Sequence, residues 1–378
     1  MNFQFQRHLA TFDCIALLLQ GGGALGAYQG GVYEALAEAD IHPDWIAGIS
    51  IGAINAAIIA GNPPASRVDR LREFWTQVTS DVPWHWSGKP FADLMNSYHT
   101  RNFLNQVNAS FAAVFGANGF FSARPLVPWL QAAGTPAATS FYDTSALKTT
   151  LERLVDFDRL NSGRTRFSAG AVNVRTGNLV YFDSATHTIR PEHILASGAL
   201  PPGFPAVEID GEQYWDGGLV SNTPLQWVIE CGARQDTLVF QVDLWSAHGN
   251  IPRNMAEVVT RQKEIQYSSR TRASTDQFKS LHRLQRELAA LLSRLPEDLL
   301  EHEDVKPLRT AASYNVHNLV HLIYRARDYE GHSKDYEFSR LSMQDHWRAG
   351  YHDALRTLRH PEVRARPTRP AGRSTFDP

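Results

Sequence analysis

Apolar positions in this chain fall into two patterns. Cys14 to Leu19, Trp45 to Ile49 and Leu238 to Leu244 are short, nearly unbroken apolar runs, the pattern of strands buried on both faces. Ala27 to Ala39 instead places Val32, Leu36 and their neighbours on one helical face, and the alanine-rich run after Ser50 also reads as a helix. Phe167 to Phe182 reads as a hairpin, with a turn at Arg175-Thr176-Gly177-Asn178 between an alternating strand and Leu179-Val180-Tyr181-Phe182. Strand, helix, strand, helix at the start of the chain predicts an α/β protein with a mostly parallel sheet. After about residue 250 the character changes. Met255 to Leu295 is charged and helical, with charges of mixed sign that favour a solvated packing helix over one lying on a membrane, and residues 314 to 360 read as helical too. From Pro361 the chain is rich in Pro and Arg (Arg364, Arg366, Pro367, Arg369, Pro370, Arg373) and reads as a disordered tail. The expected units are residues 12–250, a helical extension over 251–360 and the tail 361–378.

The second strand runs directly into Gly48-Ile49-Ser50-Ile51-Gly52. A Ser between two glycines, at a strand-to-helix turn, is the pattern of a nucleophile elbow. The hydroxyl must stand clear of the sheet on a sharp, strained turn. A Cβ at position 48 or 52 would crowd that turn, so both are Gly. The following helix points its positive end at any oxyanion that develops there. The pentapeptide alone reads equally well as an ordinary β-turn-α connection with a Ser N-cap; the strand before it and the helix after it favour the elbow.

The first strand ends in Gln20-Gly21-Gly22-Gly23-Ala24-Leu25-Gly26. Consecutive glycines between strand and helix expose backbone N–H groups that can hold a phosphate or an oxyanion. Gly21-x-Gly23-x-x-Gly26 also matches the dinucleotide fingerprint, which needs an acidic residue at the far end of the second strand. Asp44 has about the right separation but sits at the beginning of that strand, and the far end carries Ser50. N–H donors on one loop and a nucleophile on the next favour acyl transfer over nucleotide binding. A glycine connection without a ligand is the third reading.

A serine hydroxyl needs a base. The 15 histidines leave a triad open by count, but the early elbow and Gln20 ahead of the glycines argue against the α/β-hydrolase arrangement. Asp216 is the stronger candidate. It follows a short aromatic strand and precedes Gly217 and Gly218 and the helix-start signal Asn222-Thr223-Pro224. Taken singly, it is better read as an Asp capping a turn, since Asp-Gly is a common turn dipeptide.

Together these segments resemble the patatin-like phospholipase family. Gly21-Gly22-Gly23-Ala24-Leu25-Gly26 matches its oxyanion loop, Gly48-Ile49-Ser50-Ile51-Gly52 its elbow and Asp216-Gly217-Gly218 its acidic motif. Ala196 to Pro205 matches its stretch of small residues and prolines. The resemblance covers about residues 12 to 245, and Lys334 to Arg340 with Gln344 to Trp347 resembles the C-terminal extension of a bacterial subgroup. It implies a three-layer fold, a Ser50–Asp216 dyad without His, and hydrolysis of carboxylic esters, of glycerophospholipids or lysophospholipids first. A non-lipid or polymeric hydroxy-acid ester is the alternative within hydrolysis, and a nucleotide-binding regulator the alternative outside it. Leu25 departs from the pattern, since many members carry Arg or Lys there. An unperturbed Asp, with a pKa of about 3.9, is a poor base for a hydroxyl, so the dyad requires burial or very good geometry.

Composition adds bounds. The 378 residues are 43% hydrophobic with net charge −2, enough for a substantial core and with nothing to attract nucleic acid. Cys14 and Cys231 lie in apolar runs and read as buried thiols rather than a disulfide framework. No apolar run reaches the ~20 residues of a spanning helix and the first residues lack a signal-peptide core, which points to a cytoplasmic enzyme with at most peripheral membrane contact. No cofactor is expected. His317 and His321 stand at the helical spacing of metal ligands, but no Glu completes the motif, so no metal is expected. The aromatic stretch Trp84 to Phe121, with Trp86, Phe91, Phe103, Phe111, Phe115 and Phe120, reads as a helical core insertion or as a lid or acyl groove, the first being favoured.

Overall fold

The apolar runs assemble into one sheet. The computed structural model describes residues 12–79, 98–231, 235–312, 317–327, 329–363 and 375–376. In chain order its strands and helices are β1 (Cys14–Leu19), α1 (Ala27–Glu38), β2 (Trp45–Ile49), α2 (Ile51–Ala60), α3 (Arg67–Val78), α4 (Tyr98–Phe115), β3 (Ser122–Ala123), β4 (Tyr142–Asp143), α5 (Ser145–Leu154), α6 (Phe157–Asn161), β5 (Arg166–Asn173), β6 (Leu179–Asp183), α7 (Pro191–Ser197), β7 (Val207–Ile209), β8 (Glu212–Asp216), α8 (Leu225–Cys231), β9 (Thr237–Asp243), α9 (Met255–Leu292), α10 (Glu297–Leu300), α11 (Lys306–Ala311), β10 (His317–Ile323), α12 (Arg340–Leu358) and β11 (Thr375–Phe376). The strand order is β11-β10-β9-β1-β2-β5-β8-β7, with β6 also paired to β5. From β11 to β5 every pairing is parallel, whereas β6, β7 and β8 join antiparallel.

Alternation along β1 sets the layers. Leu17 and Leu19 pack into the core formed with α1, α2 and α12, while Ala16 and Leu18 pack with Val239, Phe278 and Leu225 under α8 and α9. The sheet is therefore the middle of three layers. The helices α1 and α12 cross at backbone distance, because a Cβ on Gly31 would lie 1.9 Å from the carbonyl oxygen of Trp347 and one on Gly350 would lie 2.0 Å from that of Tyr28. The last long helix thus seats directly on the helix that follows the glycine loop. The expected hairpin is β5–β6, its turn closed by Gly177 at φ 70°.

The C-terminal part departs from the expected pattern. Residues 314–360 read as helical, yet His317–Ile323 forms β10, parallel to β9. A seven-residue stretch whose apolar positions are Leu319, Val320, Leu322 and Ile323 satisfies either period, and the free edge of β9 decides it. His317 and His321 therefore lie on a strand. His321 bonds Asp243, and among the described residues no group of three ligating side chains could hold a metal. In the tail, Thr375 and Phe376 add β11 to β10 rather than being structureless, and residues 364–374 lie outside the described residues. Trp84, Trp86 and Phe91 also lie outside them. Both cysteines are free thiols, and no helix among the described residues is long and apolar enough to cross a membrane.

Candidate active site

Parallel pairing brings the sequence motifs to one edge of the sheet. Leu19 pairs with Gly48, and Ile49 with Gly170, so the glycine loop and Ser50 leave adjacent strands side by side. Asp216 arrives antiparallel, opposite Ala171. Asp44 stands at the opposite edge, where its carboxylate accepts the Ile15 amide at 2.8 Å, far from the ribose position that a dinucleotide reading requires.

Ser50 adopts φ 56° and ψ −126°, a left-handed conformation that a non-glycine residue holds only under constraint. The constraints are visible. A Cβ on Gly48 would come within 2.3 Å of the Gly52 carbonyl, and one on Gly52 within 2.2 Å of the Leu19 carbonyl oxygen. The Ser50 amide donates to the Ser197 hydroxyl at 3.1 Å, and that hydroxyl donates to the Gly170 carbonyl at 2.6 Å. The side chain of Ser50 faces the Asp216 carboxylate and pulls its carboxyl downward against burial.

Asp216 is 2% exposed. Burial pushes its carboxyl up to about 7, against the opposing pull of the Ser50 hydroxyl and the Gly218 amide. The Gly218 amide donates to it at 2.7 Å, so the turn-cap reading of Asp216 and its contact with Ser50 hold together. Gly217 allows this turn to press on β5, since its Cβ would be 2.6 Å from the Gly170 carbonyl oxygen.

The glycine loop is held at both ends. The Gly21 carbonyl accepts from Asn222 Nδ2 and from the Trp245 indole, each at 3.0 Å, and the Gly21 amide donates to the Asn222 carbonyl at 3.3 Å. Gln20 pins the β9 end through its side-chain oxygen, which accepts the Leu244 and Trp245 amides at 2.5 and 3.1 Å. Further on, the Ala24 amide donates to the Asp335 carbonyl at 2.8 Å and the Leu25 amide to the Gly22 carbonyl at 3.2 Å. The amides of Gly22 and Gly23 have no partner among the described residues. Of the six loop residues, these two are the ones left able to receive an oxyanion. Leu25 is fully buried in the core beside α1, so at this position the chain needs an apolar side chain rather than a cation. Gly26 lies against Ile51 and Trp75, where a Cβ would stand 2.5 Å from Ile51.

Ser50 and Asp216 line a cavity of about 490 Å³. Its apolar wall is a ring cluster: Phe121 packs on Tyr142, Phe204 and Phe338 with centroids 5.0, 5.3 and 5.9 Å away. Phe120 and Phe121 are thus both core and cavity wall, while Phe103, Phe111 and Phe115 of α4 point outward, 65%, 53% and 68% exposed. Asp335, Tyr336 and Phe338 also line the cavity, as does Tyr267 of α9. These residues, with Ser197 and Asn222, carry no chemical signal in sequence. Their partners are backbone atoms and rings from distant segments, which no local spacing reveals.

A model described as patatin-like phospholipase matches residues 17–229, more than half of the chain, and one described as patatin phospholipase matches residues 265–370. The chain belongs to the patatin-like phospholipase family. The match to patatin-like phospholipase domain-containing protein 6 of Homo sapiens is 40% identical over 80 residues, 21% of this chain and 6% of that protein. A patatin-like phospholipase domain-containing protein of Caenorhabditis elegans is 30% identical over 95 residues, 23% of this chain and 9% of that protein. The chain therefore spans less than a tenth of the length of these relatives. The crystal structure of VipD from Legionella pneumophila aligns with a TM-score of 0.42 at 15% identity, covering 92% of this chain and 67% of that one. In this patatin-like chain the second matched segment, 265–370, contains the residues that close the cavity from the C-terminal side.

Proposed function

We propose that the chain is a serine acyl hydrolase for carboxylic esters of lipids, with Ser50 as nucleophile and Asp216 as its base. The observation that carries this reading is the placement of the strained Ser50 beside a buried carboxyl lifted to about 7, both at the wall of an apolar cavity. A carboxylate of ordinary acidity would hold a proton too weakly to take one from a hydroxyl; burial narrows that gap. In the first half-reaction Ser50 Oγ attacks the ester carbonyl and its proton passes to Asp216. The oxyanion lies against the amides of Gly22 and Gly23, aided by the positive end of α2. Collapse breaks the C–O bond, and the leaving alkoxide takes the proton from Asp216. Water then attacks the acyl-serine by the same route in reverse. Side chains and backbone supply every step, so the reading invokes no cofactor.

The cavity size falls within the range of small-molecule sites, and its ring-lined wall suits an acyl chain. The family supports a lipid ester over a polymeric one. The apolar side chains on α4 beside the cavity residues Ala112 and Ala113 suit substrate taken from a lipid surface by a peripheral contact.

A fluorophosphonate probe tests the reading. Wild-type protein should be labelled at Ser50, while Ser50→Ala should not be labelled, and Asp216→Asn should be labelled far more slowly with the fold intact by circular dichroism. Wild-type protein that resists the probe and cleaves no ester would overturn the assignment.

A further inference from the structure

The far end of the glycine loop rests on the C-terminal segment, and that segment is held by an unusual pair of contacts. Gly23 takes φ 56°, and a Cβ there would stand 2.0 Å from the Asp335 carbonyl oxygen, the same atom that accepts the Ala24 amide at 2.8 Å. The Asp335 carboxylate is chelated by Lys263, with Nζ 2.9 Å from both oxygens. The preceding Lys334 pairs with Glu264 at 2.6 Å. Two neighbours on α9, a cation then an anion, thus meet two neighbours in the same charge order on the C-terminal segment, so the pairs cross. Lys334 Nζ also stands 5.3 Å from the Trp245 ring centroid, and the Trp245 indole donates to the Gly21 carbonyl. Tyr267, one turn beyond Lys263 on α9, stacks on the same Trp245 ring at 5.0 Å. Through these contacts α9 reaches both ends of the loop, Gly21 by way of Trp245 and Ala24 by way of Asp335.

We infer that the crossed pairs Lys263–Asp335 and Glu264–Lys334 are positioning devices that aim the Gly22 and Gly23 amides at the oxyanion. This inference rests on the assignment of those amides under the proposed function. The pairs touch no reacting atom. Lys334 and Glu264 are 4% and 14% exposed, and Glu264 also holds Arg261 at 3.0 Å, so loss of Glu264 leaves the Lys334 ammonium in a poorly solvated place and displaces the segment rather than leaving it in register. The Lys263–Asp335 pair is more open, at 29% and 23%, so its side chains can be exchanged without burying a bare charge. Oxyanion donors act only in the transition state, so a misaimed loop lowers kcat and spares KM.

The test uses the full chain with Lys263→Met, Asp335→Asn, the double variant, and the swapped pair Lys263→Asp with Asp335→Lys. On a short soluble nitrophenyl ester each single variant should lose kcat roughly tenfold or more with KM within about twofold. The double variant should be no worse than the poorer single, and the swapped pair should recover most of the loss. Hydrogen–deuterium exchange of the peptide over residues 20–29 gives a readout that needs no turnover: it should rise in the single variants and fall back in the swap. Singles that match wild type in both kcat and exchange would overturn the inference, as would a loss that the swap leaves unrepaired in folded protein. A wild type that cleaves no ester sinks the functional reading instead, and the exchange data still decide whether the pairs hold the loop.

Discussion

Ser197 holds Ser50 by the backbone. Its hydroxyl accepts the Ser50 amide at 3.1 Å and passes its own proton to the Gly170 carbonyl at 2.6 Å, tying the elbow to the neighbouring strand β5. Ser197 is fully buried, so its removal leaves an amide and a carbonyl without partners. Ser197→Ala should therefore destabilise the fold by about 1–3 kcal/mol and lower kcat by freeing the φ 56° turn. Urea unfolding and ester kinetics check both halves; unchanged stability would show that the two bonds contribute nothing.

Asp216 sets a pH dependence of opposite sign for activity and stability. As a base it must be ionised, so kcat/KM should rise with pH through an inflection near 7. Its folded pKa lies above the unfolded one, so the folded state binds the extra proton between about 4 and 7 and loses stability as pH rises across that window. Asp216→Asn should abolish activity yet raise the melting temperature at about pH 8, by a gain on the order of a few kcal/mol at most that shrinks towards about pH 4. Thermal unfolding at the two pH values measures this; a variant less stable than wild type at the higher pH contradicts it.

Gly52 touches the chain where it enters the glycine loop. With its Cβ position 2.2 Å from the Leu19 carbonyl oxygen and 2.9 Å from that of Gln20, Gly52→Ala forces backbone apart between the two motifs. We expect a destabilisation of about 1–3 kcal/mol or more together with loss of probe labelling at Ser50. Gly163→Ala, at a glycine with open space around its Cβ but φ 77°, is the contrasting case: backbone strain without loss of labelling.

Phe111 and Phe115 stand exposed on α4 with their rings 5.2 Å apart, flanking Ala112 and Ala113 of the cavity wall. If substrate is drawn from a lipid surface, Phe111→Ser with Phe115→Ser should slow hydrolysis of phospholipid vesicles about tenfold, the loss of roughly one buried ring's transfer energy. Cleavage of a soluble short-chain ester should stay within about twofold. Equal losses on both substrates would assign the rings to the fold instead.

The elbow, the glycine loop and Asp216 were legible in the sequence because each needs particular residue types at fixed local spacing: Gly48 and Gly52 around Ser50, or Gly217 and Gly218 after Asp216. The buried strands β1, β2 and β9 were legible as unbroken apolar runs. His317–Ile323 was not, because a short stretch of mixed apolar and polar positions serves strand or helix alike and its partner strand β9 lies far back in the chain. Ser197 and Asn222 act on main-chain atoms, and the Asp335 carbonyl acts through its own main chain, so their roles depend on the assembled sheet and not on a motif. The two amides left for an oxyanion emerge only when the other hydrogen bonds of the loop are traced.

The strand order also has a consequence for how the molecule is made. In the sheet β1 lies between β2 and β9, but on the ribosome β9 follows β1 only after strands β2 to β8 and the helices among them, and Asp335 comes later still. A growing chain that has just released Asp216 already carries Ser50 and Asp216, yet β1 lacks one neighbour and the glycine loop lacks its far support. A nascent patatin-like chain at that stage holds its motifs in pieces, and the cavity-lining arrangement comes together only once the segment that clamps the loop has been made.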